Sequence, residues 1–113
     1  MELDVAVVDG RFTSVGLKGK LDASGVDRID TRFTAAIAAA GRPTAVDLSE
    51  VTILTSMGIR LLISNARALN LKGARMVVFG AQDLVRESLE HVALDQIIPV
   101  LATEQLAFEL LRA

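Results

Sequence analysis

A short apolar stretch followed by an amphipathic helix pattern is the feature that most constrains how this chain folds. Thr44 to Leu48 is largely apolar and follows Pro43, which is typical of a strand covered on both faces. Beyond Leu54, apolar residues recur at the spacing of one helix face: Ile59, Leu62, Ile63, Ala66 and Leu69. The sequence therefore predicts a buried strand, a loop over Ser49 to Leu54, and then a helix.

Two adjacent hydroxyl residues, Thr55 and Ser56, come just before this helix. A Ser or Thr oxygen at such a position accepts a hydrogen bond from a free backbone N–H of the first turn, so one of them is expected to cap the helix. A single cap needs only one hydroxyl, and Gly58 in the first turn lowers helix stability while leaving the backbone uncovered. We therefore predict that Ser56 lies within one residue of the helix N-terminus, on a surface that a partner can approach closely.

The amino-terminal segment has the pattern of a β-hairpin. Leu3, Val5 and Val7 alternate with polar or small residues, and the turn dipeptide Asp9-Gly10 separates them from a second alternating run. Further along, Arg75 to Gly80 and Ile97 to Val100 are short apolar runs that favour strands. Pro99 places the last strand at an edge of the sheet, or the Pro at the end of the strand, because Pro has no N–H to donate.

Three more helices are predicted between and after these strands. The first is expected to begin near Gly25, with Ser24 and Asp27 resembling a capping box, and the last opens at Thr103-Glu104. The apolar face of the first helix contains Ile29, Phe33, Ala36, Ile37 and Ala40. The apolar stripe of the third helix contains Leu84, Val85, Leu89 and Val92, together with Ser88.

The order of elements is thus ββαβαβαβα. Strands that alternate with helices need crossover connections, which give a largely parallel sheet with right-handed crossovers, and the hairpin adds one antiparallel strand. The predicted fold class is a single α/β domain over residues 1–113, with a mixed, mostly parallel five-stranded sheet and four helices.

Composition excludes several classes of function. The net charge is -2, with scattered basic residues, which gives no electrostatic basis for direct nucleic-acid binding. No Cys is present, so disulfides and thiolate metal sites are excluded. No apolar run approaches the roughly 20 residues that a bilayer requires, so we expect no membrane insertion and a cytoplasmic location.

No residue set has a catalytic pattern. Leu54 occupies the first Gly position of the G-x-S-x-G nucleophile motif around Ser56, and His91 stands among charged neighbours as expected of a solvated residue near a helix end. Asp22 and Asp47 could form a carboxylate pair, but Asp22 more simply caps the chain before the first helix and Asp47 binds nearby backbone groups. We therefore expect no catalytic residue, no metal and no cofactor.

Several segments together resemble the STAS domain, the family of bacterial anti-sigma factor antagonists and of the cytosolic domains of sulfate transporters. The resemblance covers almost the whole chain. Its segments are Asp47-Leu48-Ser49 with Val51, then Thr55-Ser56-Met57-Gly58-Ile59, the turn Gly19-Lys20-Leu21-Asp22 and the loop Lys72-Gly73-Ala74-Arg75. Regulatory members usually carry Asp before the phosphorylated Ser, and Thr55 takes that place here.

The resemblance implies a non-enzymatic switch that antagonises an anti-sigma factor and so regulates transcription. It assigns the phosphorylation site to Ser56, with Thr55 as the alternative, and implies an anti-sigma factor with serine-kinase activity as the partner and a phosphatase acting on Ser56. The implied partner-binding residues are Asp22, Ala23, Ser24, Thr55, Ser56, Met57, Gly58 and Arg60. Two alternatives remain: an accessory subunit docking on the ATPase of a membrane transport complex, and a nucleotide or small-ligand sensor.

Overall fold

A five-stranded sheet whose spatial order follows the chain forms the centre of the molecule. The computed structural model describes residues 1–113. The strands are β1 (Glu2–Val8), β2 (Phe12–Leu21), β3 (Thr44–Leu54), β4 (Met76–Phe79) and β5 (Val100–Leu101). Strand β1 pairs antiparallel with β2 through a turn at Asp9 and Gly10, which have φ angles of 54° and 65°, and the remaining pairs are parallel. The predicted mixed sheet is confirmed.

Four α-helices connect or follow the strands, as predicted. They are α1 (Ala23–Thr34), α2 (Ser56–Leu71), α3 (Asp83–His91) and α4 (Glu104–Arg112). A π-helical turn, Ala35–Ala39, continues α1, and a 3-10 turn, Leu94–Gln96, follows α3. Strand β5 lies at the edge of the sheet directly after Pro99, as expected, but is only two residues long and begins three residues later than predicted.

Alternate residues of the central strands supply two separate cores. Val15, Val46 and Val78 lie in the larger core of 21 buried residues, which also contains the buried apolar side chains of α1, α2 and α3. Ala45, Val77 and Phe79 lie in a smaller core of 7 buried residues with one face of α4. Three helices therefore cover one face of the sheet and α4 covers the other.

The predicted loop over Ser49 to Leu54 is wrong, because β3 continues through Leu54. Beyond Asp47, β3 no longer pairs with β4 and pairs only with the end of β2, as in the pair formed by Leu21 and Leu54. Polar residues such as Glu50 and Thr52 are exposed along this half of the strand. In this half of β3 one face is buried and the other is polar. The sequence therefore lacks the continuous apolar run that is typical of a strand buried on both faces, and this is why a loop was predicted.

Candidate partner-binding site

The β2–α1 and β3–α2 junctions lie side by side, because β2 and β3 are parallel and end together. Leu21 and Leu54 are paired as the last residues of the two strands. The backbone carbonyl of Leu21 accepts two hydrogen bonds from Thr55, one from its N–H at 3.1 Å and one from its hydroxyl at 3.2 Å. The fold thus brings Asp22, Ala23 and Ser24 next to Thr55, Ser56 and Met57, although some 30 residues separate the two segments in the chain.

Ser56 is the first residue of α2 and its side chain is exposed. The prediction that Ser56 lies at the helix N-terminus is therefore confirmed. Thr55 holds the N-cap position, but its hydroxyl donates to Leu21 and no side chain caps α2, so the expected hydroxyl cap is wrong. The first helical hydrogen bond runs from the N–H of Ile59 to Thr55. The N–H groups of Ser56, Met57 and Gly58 therefore have no partner within the helix.

Gly58 does not leave the backbone uncovered, contrary to the prediction, because it is buried against the ends of β2 and β3. A Cβ atom at this position would lie 2.7 Å from the Leu21 carbonyl oxygen and 2.8 Å from Cδ1 of Leu54. Both distances are too short for a non-bonded contact. The absence of a side chain at Gly58 lets the first turn of α2 pack onto the paired strands, and a partner does not reach this residue directly.

Asp22 caps α1, and this corrects the predicted capping box at Ser24 and Asp27. The Asp22 carboxylate accepts a hydrogen bond of 2.9 Å from the N–H of Gly25, and α1 begins at Ala23. Ser24 and Asp27 are exposed residues of the helix itself. The alternative expectation, that Asp22 caps the chain before the first helix, is confirmed. Asp47 likewise binds backbone, since its carboxylate accepts from the N–H of Ser49 at 2.8 Å.

Most of the predicted partner-binding residues are open to solvent. Ala23, Ser24 and Arg60 are exposed, and Met57 keeps 41% of its surface accessible. Thr55 and Asp22 are half-buried, with their polar atoms engaged in the hydrogen bonds described above. Of the eight predicted residues, five are therefore exposed: Ala23, Ser24, Ser56, Met57 and Arg60.

An apolar groove of about 550 Å³, which the sequence pattern did not predict, lies between the β3–α2 junction and α3. Ser56 lines it, together with the exposed side chains of Ile53, Leu84 and Val92, and His91 at the end of α3. These three apolar residues are 44%, 73% and 49% exposed, respectively. We call this surface the α2–α3 groove.

Two residues of the predicted apolar stripe of α3 therefore face the groove and not the core. Val85 and Leu89 are buried, but Leu84 and Val92 are not. A helix of nine residues contacts the core over a narrow face, and the predicted stripe is wider than that face. The excess width of the stripe was the signal in the sequence for an exposed apolar surface.

A family model of the STAS domain matches residues 4–107. The chain therefore belongs to the STAS domain family, as the sequence resemblance implied. A search of curated proteins finds no match. No helix of the structure combines the length and apolar character needed to cross a bilayer.

Several solved structures share this fold. An anti-sigma factor antagonist from Mycobacterium paratuberculosis superposes with a TM-score of 0.88 at 24% identity, covering 99% of this chain and 94% of that one. A STAS domain protein from Planctomyces limnophilus has a TM-score of 0.86 at 19% identity, covering 98% of both chains. The murine anion transporter Slc26a9 also matches, with a TM-score of 0.76 at 16% identity, covering 89% of this chain but 18% of the transporter. At these identities the similarity establishes the fold.

Proposed function

We propose that this protein is an anti-sigma factor antagonist, a non-enzymatic cytoplasmic regulator whose binding to an anti-sigma factor is controlled by phosphorylation of Ser56. The observation that carries the proposal is the position of Ser56. Its exposed hydroxyl lies at the uncapped N-terminus of α2 and on the wall of the α2–α3 groove. One side chain thus belongs both to a site suited to a phosphate and to a surface suited to a protein partner.

The end of α2 favours a negative charge on Ser56. A helix N-terminus carries a partial positive charge, and its free N–H groups bind anions. No side chain occupies those N–H groups in α2, since Thr55 is turned towards Leu21. A phosphate on Ser56 is therefore compatible with the folded domain.

The same phosphate opposes the binding of a partner that fills the groove. It adds roughly 1.5 to 2 negative charges beside Ile53, Leu84 and Val92. A partner that covers these apolar side chains also removes water from the phosphate, and burying a charge without a cation costs several kcal/mol. Unmodified Ser56 permits binding and the phosphorylated form releases the partner.

Ser56 is a better acceptor than Thr55. A phosphate on Thr55 breaks the hydrogen bond from its hydroxyl to the Leu21 carbonyl, and the side chain is half-buried. The Ser56 hydroxyl is exposed at the surface. A kinase partner and a phosphatase that resets the switch are both expected to act at Ser56. The Bacillus protein SpoIIAA, which has the same fold, has been determined in unphosphorylated and phosphorylated forms, and this supports the proposal.

Purification of the tagged protein from its native cells tests the class of partner. We expect an anti-sigma factor with kinase activity to be recovered. Mass spectrometry should then show that this kinase phosphorylates the wild-type protein and the Thr55→Val variant, but not the Ser56→Ala variant. Labelling that persists in Ser56→Ala would contradict the assigned site.

Recovery of a transporter ATPase, without an anti-sigma factor, would contradict the proposed function and support an accessory role in a transport complex. The likeness to a domain of the anion transporter is the observation that favours this second candidate.

A further inference from the structure

Strand β1 leaves a long edge of the sheet unpaired. The sheet ends at β5 on one side, a strand of two residues, and at β1 on the other, a strand of seven residues that pairs only with β2. An edge strand presents backbone N–H and C=O groups that have no partner in the sheet. The edge at β1 is therefore the one that offers a second strand a long surface for pairing.

Apolar side chains accompany these free backbone groups. Val5 and Val7 are 48% and 52% exposed. Their partners on β2, Val15 and Thr13, are buried, and Val15 belongs to the larger core. The two valines therefore lie on the face of the sheet that α1, α2 and α3 cover, but at its uncovered edge. Leu3, on the same face, packs partly against the larger core. One face of β1 thus carries an apolar stripe at the open edge.

The sequence of β1 is complementary to itself. A two-fold axis perpendicular to the sheet, placed beside Val5, brings the β1 strands of two copies together as an antiparallel pair. In that register all seven residues of each strand are paired, and no acidic residue faces another. The pairs are Glu2 with Val8, Leu3 with Val7, Asp4 with Ala6, and Val5 with Val5 of the second copy.

The neighbouring registers are less favourable. A shift by two residues in one direction sets Asp4 opposite Asp4 of the second copy, and like charges directly opposite each other destabilise a sheet. A shift by two in the other direction leaves Glu2 and Leu3 unpaired. A shift by one residue matches the apolar face of one copy with the polar face of the other.

We propose that this chain forms a symmetric dimer in which the β1 strands of two copies pair antiparallel about Val5. The two five-stranded sheets then become one continuous sheet, and the apolar stripes meet on one face. Pairing of a single strand buries less than the roughly 800 Å² per partner of a standard interface, so the dimer dissociates on dilution. Because the strands are antiparallel, the two Ser56 residues lie at opposite ends of the joined sheet and both remain accessible.

Sedimentation velocity over a dilution series tests the dimer. The mean mass of the wild-type protein should rise from the monomer value of 12.0 kDa towards twice that value as concentration increases. Val5→Lys sets two lysines opposite each other and should weaken dimerisation at least about tenfold. The control is Leu84→Lys, which also replaces an exposed apolar residue with lysine, but on α3, and should dimerise as wild type. Circular dichroism confirms that both variants are folded.

A wild-type protein that stays monomeric up to about 1 mM, a concentration that detects even weak association, would overturn the proposal. Unchanged dimerisation of Val5→Lys would overturn it as well.

Cysteine cross-linking tests the register, and the natural chain has no Cys to interfere. Val5→Cys places two thiols on directly opposed residues, with Cβ atoms about 5 Å apart, close to the separation in a disulfide. In Val7→Cys the two thiols are displaced by four residues along the strands, about 13 Å. Val5→Cys should therefore form a disulfide-linked dimer under mild oxidation at least about tenfold faster than Val7→Cys. Equal rates would contradict pairing about Val5.

Discussion

The N-termini of α1 and α2 lie side by side, but only the N-terminus of α1 is capped by a side chain. The Asp22 carboxylate accepts a hydrogen bond from the first turn of α1, so that helix end is already occupied by an anion. At α2 the equivalent residue is Thr55, whose hydroxyl donates to the Leu21 carbonyl and leaves the first-turn N–H groups free. The N-terminus of α1 is therefore occupied within the fold, and that of α2 is open to an anion such as the phosphate proposed for Ser56.

Both helix ends depend on a glycine that packs against the end of β2, and substitution of these glycines should have the largest effect on stability. In Gly25→Ala the new Cβ overlaps the Lys20 carbonyl oxygen, a backbone atom that moves only with the strand. We expect a loss of at least about 3 kcal/mol, and about 1 to 3 kcal/mol for Gly58→Ala, in the free energy of unfolding measured with urea. Met57→Ala, at an exposed neighbouring position, is the control. If both glycine variants match that control, the close packing at the junction is wrong.

Removal of the α1 cap should have the next largest effect. Asp22→Ala deletes the acceptor for the Gly25 N–H and should lower the free energy of unfolding by about 1 kcal/mol. Ser24→Ala should change it by less than about 0.5 kcal/mol, because Ser24 is an exposed helix residue. Urea denaturation of the two variants separates the cap seen in the structure from the capping box predicted from the sequence. A larger loss of stability in Ser24→Ala than in Asp22→Ala would indicate that Ser24 is the cap.

Thr55→Val should cost less than loss of the Asp22 cap. Valine keeps the shape of the side chain but removes the hydroxyl that donates to Leu21, while the Thr55 N–H still binds that carbonyl. The expected loss is about 0.5 to 1 kcal/mol. Thr52→Val, at an exposed hydroxyl with a longer contact of 3.4 Å, serves as the control and should be nearly neutral. Greater stability of Thr55→Val than of wild type in thermal denaturation would count against the inward hydrogen bond.

The smallest expected effect on stability comes from adding one negative charge to each helix N-terminus. Ser56→Asp places a carboxylate at the free end of α2 and should raise the free energy of unfolding by about 0.3 to 1 kcal/mol at low ionic strength. Ser24→Asp places the same charge beside Asp22, where the end of α1 is already capped, and should give no gain. Urea titrations at two salt concentrations provide the test, because added salt screens the effect. A similar gain at both positions would remove the distinction between the helix ends.

Periodicity and turn residues were sufficient to predict the order of elements and the mixed sheet, because both are local properties of the chain. They were insufficient to predict which residues of α2 are buried. Ile59 and Ile63 were expected to be buried, yet both are only partly covered, whereas Asn65 is 2% exposed. The Asn65 side-chain nitrogen donates to the Leu61 carbonyl of its own helix at 3.0 Å, which satisfies this buried donor, while its Oδ1 atom has no partner. An apolar pattern alone does not contain that information.

The candidate site was predictable in position and not in detail. The two hydroxyls before an apolar run indicated where α2 begins, but not which way the Thr55 side chain turns. Its acceptor, the Leu21 carbonyl, is 34 residues away in the chain and comes close only because β2 and β3 end together. The burial of Gly58 has the same cause, since Leu21 and Leu54 cover it. Contacts between distant segments decided both outcomes.

The affinity of the isolated anti-sigma factor for variants at Ser56 tests the central claim most directly. Ser56→Ala should bind as unmodified wild type does, and Ser56→Asp should bind at least about tenfold more weakly, a difference of about 1.4 kcal/mol. Ser64→Asp, which adds the same charge to an exposed position two turns along α2, is the matched control and should bind normally. Equal affinities of Ser56→Asp and Ser56→Ala in calorimetric titrations would contradict a switch at the N-terminus of α2.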